Sequence, residues 1–355
     1  MNKFDKLFEC LPQNIECALI TSDVNRRYFT GMKSSDGTVV AFRDKAYLFI
    51  DFRYIEKARE SVSSAEVVEQ KKLYAQLGEL LHSRGVRNMA IESQRMTVSQ
   101  MNVLKRLFKD IEIIDTDVLS NSINSMRMIK DEFELECIQK AQEIAETAFN
   151  GILDFIREGV MEREIALELE RLMMINGAET MSFDTIALAG SNTSMPHGVP
   201  SNKKVCRGEF VLMDFGAVYN GYHSDMTRTV CVGEPSEEMR RVYNIVLEAQ
   251  NAAINAAKAG ISGQHLDHIA RSVIEEAGYG EYFGHSLGHG VGMEIHEKPN
   301  ASPNYKNPLN ANSVVTIEPG IYIAGKFGVR IEDFVILTEN GCINMTKSAK
   351  NIISL

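Results

Sequence analysis

Five side chains stand out as candidates for shared chemistry: Asp214, Asp225, His289, Glu318 and Glu332. Two of them lie on Phe210–Val232, FVLMDFGAVYNGYHSDMTRTVCV. Asn220-Gly221 in its middle predicts a hairpin, because a type I′ turn needs positive φ at both central residues. With those residues as the loop, Asp225 falls opposite Gly216. Asp214 is then a diagonal neighbour on the same face, and the two carboxylates can converge on one point. Inward carboxylates on an apolar hairpin are costly unless something neutralises them. An arginine such as Arg228 is one candidate, and a bound cation is another.

The other three come from distant segments. Gly284–Glu297 (GHSLGHGVGMEIHE) holds three of the chain's eight histidines: His285, His289 and His296. Its glycines argue for extended backbone with close approach of neighbouring chain. Glu318 sits in the apolar run VVTIEPGIYI, followed by the Pro319-Gly320 turn or bulge signal. In GVRIEDF, Arg330 and Glu332 share one face if the backbone is extended, so a plain Arg–Glu pair is the simplest reading. Asp214, Asp225, Glu318 and Glu332 together carry four negative charges, which two divalent ions would balance beside a neutral His289. Oxygen-rich ligation with one imidazole suits Mn²⁺, Co²⁺, Fe²⁺ or Zn²⁺. Paired ions of this kind activate water and polarise carbonyls.

The elements that must position these residues follow from periodicity. Strands are predicted at Ile15–Thr21, Thr38–Arg43, Lys45–Ile50, Asn88–Glu92 and Ile111–Ile114, with helices at Leu73–Ser83 and Val98–Phe108. They make an α/β domain over residues 1–124. Residues 125–355 read as a second domain. It opens on an amphipathic helix over Asp131–Asp154, then a helix over Glu162–Asn176 closed by Gly177. After the carboxylate hairpin, Pro235 opens another long helix, and Ser262 caps a fourth that runs to Gly278. Two helices and strands, followed by two helices and strands, suggest an internally duplicated α+β unit.

Composition sets the surroundings. The net charge of −10 argues against a non-specific nucleic-acid binder. No run of 18 uncharged apolar residues is present, so no membrane span is expected. The six cysteines contain no C-x-x-C pair, which fits reduced thiols in a cytoplasm.

With these residues in order, the chain resembles the pita-bread metallopeptidases, which include methionine aminopeptidase, aminopeptidase P and prolidase. The motifs MPHGVP (195–200), DFGAVYNGYHSDMTRT (214–229), GHSLGHGVGMEIHE (284–297), IEPGIYI (317–323) and GVRIED (328–333) resemble the Xaa-Pro branch. The resemblance covers essentially the whole chain. It implies an α+β architecture, with a creatinase-like N-terminal α/β domain before a pseudo-symmetric pita-bread catalytic domain.

The resemblance also implies roles. Asp214, Asp225, His289, Glu318 and Glu332 hold two divalent ions, Mn²⁺ foremost, with Asp225 and Glu332 bridging. Glu318 lies near the attacked water. His197 and His296 contact the substrate and stabilise the tetrahedral intermediate. Arg330 assists proton movement and orients Glu332, and His285 lines the proline side. Tyr222 is a weaker candidate, since packing explains it equally well. The implied substrate is a peptide with proline second, and the implied assembly is a homodimer.

One position departs from the pattern. Asn300 stands where some prolidases carry an arginine that grips a dipeptide's C-terminal carboxylate, so strict dipeptide length is not implied. The alternatives are a methionine-aminopeptidase-like exopeptidase, a non-catalytic binding protein on the same fold, and a metal-free creatinase-like C–N hydrolase. The N-terminal domain argues against the first, and the complete ligand set against the other two.

Overall fold

Residues 2–355 are described by a computed structural model. The chain divides into two compact units between Arg127 and Met128. The expected boundary after residue 124 falls inside the helix Val118–Met128.

The first unit is built on a six-stranded mixed sheet. Its order is Glu66–Glu69, Ala46–Ile50, Thr38–Ala41, Cys17–Ile20, Asn88–Ile91 and Glu112–Ile114. The central strand Cys17–Ile20 is buried at all four residues, as its uninterrupted apolar run requires. Helices Leu73–Ser83 and Val98–Leu107 fall where their periodicity puts them. Helices Asp23–Thr30 and Ile55–Ser61 were not legible in the pattern. The latter buries only Ala58, so it leaves almost no hydrophobic stripe to read.

In the second unit a helix pair followed by strands occurs twice, and each set has its own core. Helices Glu132–Ile152 and Glu162–Ile175 pack with Val211, Phe215 and Val230 around Phe149 and Leu169. Helices Glu237–Ala256 and Gly263–Glu276 pack with Val315 and Val335 around Tyr243, Val246 and Ile274. The predicted cap at Ser262 forms, accepting from the His265 N–H at 3.1 Å, and Asp131 caps its helix by accepting from the Glu134 N–H at 2.9 Å.

The hairpin follows the register of a two-residue loop. Asn220 and Gly221 have φ of 49° and 84°. Val218 pairs with His223, and Thr227 with Asp214. The ladder breaks at Gly216, however, and its two parts join different sheets. A Cβ at Gly216 would lie 2.0 Å from the Ser224 carbonyl oxygen, so only glycine permits this crossing.

Arg228 does not neutralise either aspartate. Its side chain is 1% exposed and is bonded to Asp333 at 2.7 Å. It also donates to the carbonyls of Glu332 at 2.6 Å and Ala349 at 3.0 Å. Burial alone would raise the Asp333 pKa, but Arg228 and Lys350 outweigh it and hold the carboxyl below its usual range. Removing one partner of such a pair leaves a buried charge. Arg228→Met is therefore expected to destabilise this unit by about 3 kcal/mol or more. An unchanged midpoint for its transition in chemical denaturation would refute this.

Candidate metal centre

Three of the four candidate carboxylates sit where strands break, while Asp214 lies within the strand Glu209–Phe215. Glu318 follows the strand Val314–Ile317, and Gly320–Ile323 begins a different sheet. Its N–H is satisfied by the Leu287 carbonyl at 2.9 Å. Glu332 lies between Phe327–Arg330 and Asp333–Thr338, with its N–H on the Thr227 carbonyl at 3.1 Å. Asp225 lies between Tyr222–His223 and Met226–Val232. At such breaks a polar side chain can turn into the interior without displacing a ladder residue.

His289 is carried by the strand Gly288–Gly290, which packs closely on its neighbours. A Cβ at Gly288 would meet the Thr316 carbonyl oxygen at 2.0 Å. The His289 N–H donates to Thr316 Oγ1 at 3.0 Å, and Thr316 Oγ1 donates to Glu318 Oε1 at 3.0 Å. One threonine thus fixes the backbone of one candidate ligand and the carboxylate of another.

The five candidates converge. Asp225, His289 and Glu332 offer ligand atoms that all lie within 4.8 Å of one another. His289 Nε2 stands 3.5 Å from Asp225 Oδ2 and 3.4 Å from Glu318 Oε1. Its Nδ1 faces the Gly290 carbonyl at 3.1 Å, which assigns the proton to Nδ1 and leaves the Nε2 lone pair toward the carboxylates. Burial, and then His296, lower the His289 pKa to about 4. A lone pair facing two carboxylate oxygens is repulsive unless a cation lies between them.

The carboxylates tell the same story. Burial, with the other carboxylates adding to it, raises the pKa of Asp225 and Glu332 far above the ordinary range. Burial raises Glu318 as well. Asp214 Oδ1 and Glu332 Oε1 are buried without a hydrogen-bond partner. Buried carboxylate oxygens without donors, grouped around an imidazole lone pair, are what a divalent cation would satisfy. The residues present therefore fit such an ion.

Arg330 corrects the simple Arg–Glu reading. The strand ends at Arg330, and its guanidinium pairs with Asp214 instead of Glu332. It reaches Glu332 only through Thr227: Arg330 Nε donates to Thr227 Oγ1 at 3.0 Å, and Thr227 Oγ1 donates to Glu332 Oε2 at 2.7 Å. Arg330 Nη1 also donates to Tyr322 Oη at 2.8 Å, and Tyr322 Oη meets His285 Nε2 at 2.9 Å. Thr227, Thr316 and Tyr322 had escaped the sequence reading. Each lies two or four residues from a candidate ligand, and that spacing was the signal available.

The remaining candidates line one cleft of about 1110 Å³ with the carboxylates. His197 and His296 are exposed to it, and the His296 ring lies 4.3 Å from that of His289. His285 is half-buried, with burial and then Arg330 lowering its pKa to about 4. Tyr222 is not among the lining residues. It donates to Glu134 Oε1 at 2.8 Å under the helix Glu132–Ile152.

Residues 136–339 match the model for metallopeptidase family M24, and residues 9–129 match the creatinase/prolidase N-terminal domain. An Xaa-Pro dipeptidase of Pyrococcus furiosus is 41% identical over 353 residues, which cover 99% of each chain. The solved Xaa-Pro dipeptidase from Bacillus anthracis superposes with a TM-score of 0.95 at 40% identity, covering 99% of both chains. An X-Pro aminopeptidase from Thermotoga maritima superposes at 0.92, also with 40% identity, covering 96% of this chain and 98% of its own.

Proposed function

The chain belongs to metallopeptidase family M24, and from that premise we propose that it hydrolyses the Xaa-Pro bond at the N-terminus of peptides. The observation that carries this reading is the convergence of buried carboxylates on the unprotonated nitrogen of His289. Asp214, Asp225, His289, Glu318 and Glu332 would hold two divalent ions, with Mn²⁺ foremost. Bound there, such ions would lower the pKa of a water and polarise the scissile carbonyl.

The chain's own residues do the rest. Glu318 takes a proton from the attacking water and passes it to the proline nitrogen. That nitrogen carries no hydrogen in an Xaa-Pro amide, so it leaves only after protonation. His197 and His296 donate hydrogen bonds to the carbonyl oxygen as negative charge builds on it. Arg330 holds Asp214 directly and orients Glu332 through Thr227. Tyr322 fixes His285 against the proline side.

The cleft supports peptides that extend beyond proline. Among the described residues, its only lining guanidinium or ammonium groups are Arg163 and Arg330. Arg330 is committed to Asp214, Tyr322 and Thr227. The inner site thus offers no spare cation for a dipeptide's carboxylate, and a longer peptide replaces that charge with a neutral amide. Clefts for drug-sized ligands run about 300–1,000 Å³, and this one exceeds that range. We also propose a homodimer, on the family resemblance, and a cytoplasmic location, on the six free thiols.

Assay of the Mn²⁺-loaded protein against an Xaa-Pro dipeptide, an Xaa-Pro tripeptide and a Met-Ala tripeptide tests the substrate. The Xaa-Pro tripeptide should be cleaved with the highest kcat/KM. Cleavage of the Met-Ala peptide alone would overturn the proline assignment. A strong preference for the dipeptide would overturn the length assignment.

A further inference from the structure

Glu162 is a carboxylate that the proposed chemistry does not use, yet it is 0% exposed. It opens the helix Glu162–Ile175, whose later residues Arg163, Ala166 and Leu167 line the cleft. All four hydrogen bonds of its carboxylate go to the two ends of one loop. Oε1 accepts from the Ala189 N–H at 2.7 Å and from Asn192 Nδ2 at 2.9 Å. Oε2 accepts from the Ser201 N–H at 3.0 Å and from Ser201 Oγ at 2.6 Å.

Between those ends runs the segment that carries His197. Its first part is anchored by Thr193, whose hydroxyl accepts from the Gly328 N–H at 2.7 Å. Its middle has the turns from the Met195 N–H to the Asn192 carbonyl and from the Gly198 N–H to the Met195 carbonyl, each at 3.0 Å, and a bond from Arg330 to the Pro196 carbonyl at 3.3 Å. His197 itself is exposed to the cleft, and among the described residues no hydrogen bond fixes the imidazole. The position of that ring therefore depends on where the loop ends are held.

We propose that Glu162 is a positioning residue for His197, fixing both ends of its loop with one buried carboxylate. This rests on the role given to His197 above. A carboxylate suits the task because it is acceptor-only on both oxygens. Glutamine at this position keeps the shape but turns an amide N–H₂ toward donors at one loop end. That end then loses a bond to residue 162, while the Ala189 carbonyl keeps Lys203 Nζ at 2.6 Å and the Ser201 carbonyl keeps the Arg163 N–H at 3.1 Å, so the end shifts without detaching. Misplacement of a catalytic group by about 1 Å costs on the order of a hundredfold in rate.

The test is a double-mutant cycle on Glu162→Gln and His197→Ala, read as kcat and KM on an Xaa-Pro tripeptide with bound metal measured for every variant. Glu162→Gln alone should lower kcat by roughly ten- to a hundredfold, with KM and metal content little changed. In the His197→Ala background it should cost almost nothing further, because the group it positions is gone. Ser201→Ala removes one of the four bonds and should lower kcat in the same direction by a smaller factor. It decides the matter if Glu162→Gln does not fold. Losses that multiply across the cycle would overturn the positioning role and leave the His197 assignment standing. Full activity in His197→Ala would overturn both.

Discussion

Glu318→Gln should lower kcat on an Xaa-Pro peptide by on the order of a thousandfold, the largest loss expected from any single isosteric change. The reason is the double demand on this side chain. Its Oε1 faces His289 Nε2 at 3.4 Å and accepts from Thr316 at 3.0 Å, so it belongs to the centre. Burial raises its pKa in the metal-free centre, and bound cations would draw the carboxylate back to its ionised form, able to accept a proton from the attacking water. An amide in its place cannot carry that proton. Thr316 will still hold the glutamine oxygen, and His289 keeps its own anchor on Gly290, so the fold around the change should survive. The measurement is single-turnover hydrolysis with metal content determined on the same sample. Undiminished turnover with the ions bound would remove Glu318 from the chemistry.

Removal of divalent ions should abolish hydrolysis altogether and also loosen the catalytic unit. Without cations the cluster keeps buried carboxylates, of which Arg330 pairs with Asp214 alone. Two sites filled at a hundredfold above Kd would contribute about 2.7 kcal/mol each. Chelation should then lower the Tm by roughly 10 °C or more, and Mn²⁺ should restore both Tm and activity. Elemental analysis of the reloaded protein should give two ions per chain. One ion per chain would confine the centre to the Asp225, His289 and Glu332 triad. Activity that survives exhaustive chelation would refute the metal-dependent reading and favour the metal-free C–N hydrolase.

Much of this site was legible before any coordinates. Asn220-Gly221 places Asp214 and Asp225 on one hairpin, because the turn's φ requirement and the two-residue strand period are local rules. Asp131, Ser262 and Gly177 mark helix ends for the same reason: a cap is satisfied within a few residues of itself. Residues in one motif share a spacing, and spacing is visible in a string. Short elements with weak patterns were less legible, as the single buried residue of Ile55–Ser61 illustrates.

Partner choice was not legible. Arg330 and Glu332 look paired in the string, yet the strand ends between them and Arg330 turns to Asp214, 116 residues earlier. Arg228 looked free to neutralise the aspartates beside it, but it serves Asp333, 105 residues later. Thr227 and Tyr322 gain importance only because two sheets bring Arg330 to them. The sequence by itself determined the candidate ligands, the hairpin register and the demand for positive charge, all consequences of residue type and short-range spacing. Only the tertiary structure decided which cation meets which carboxylate and which oxygens are left without donors. Those outcomes depend on how separate strands pack, and no rule of spacing along the chain contains them.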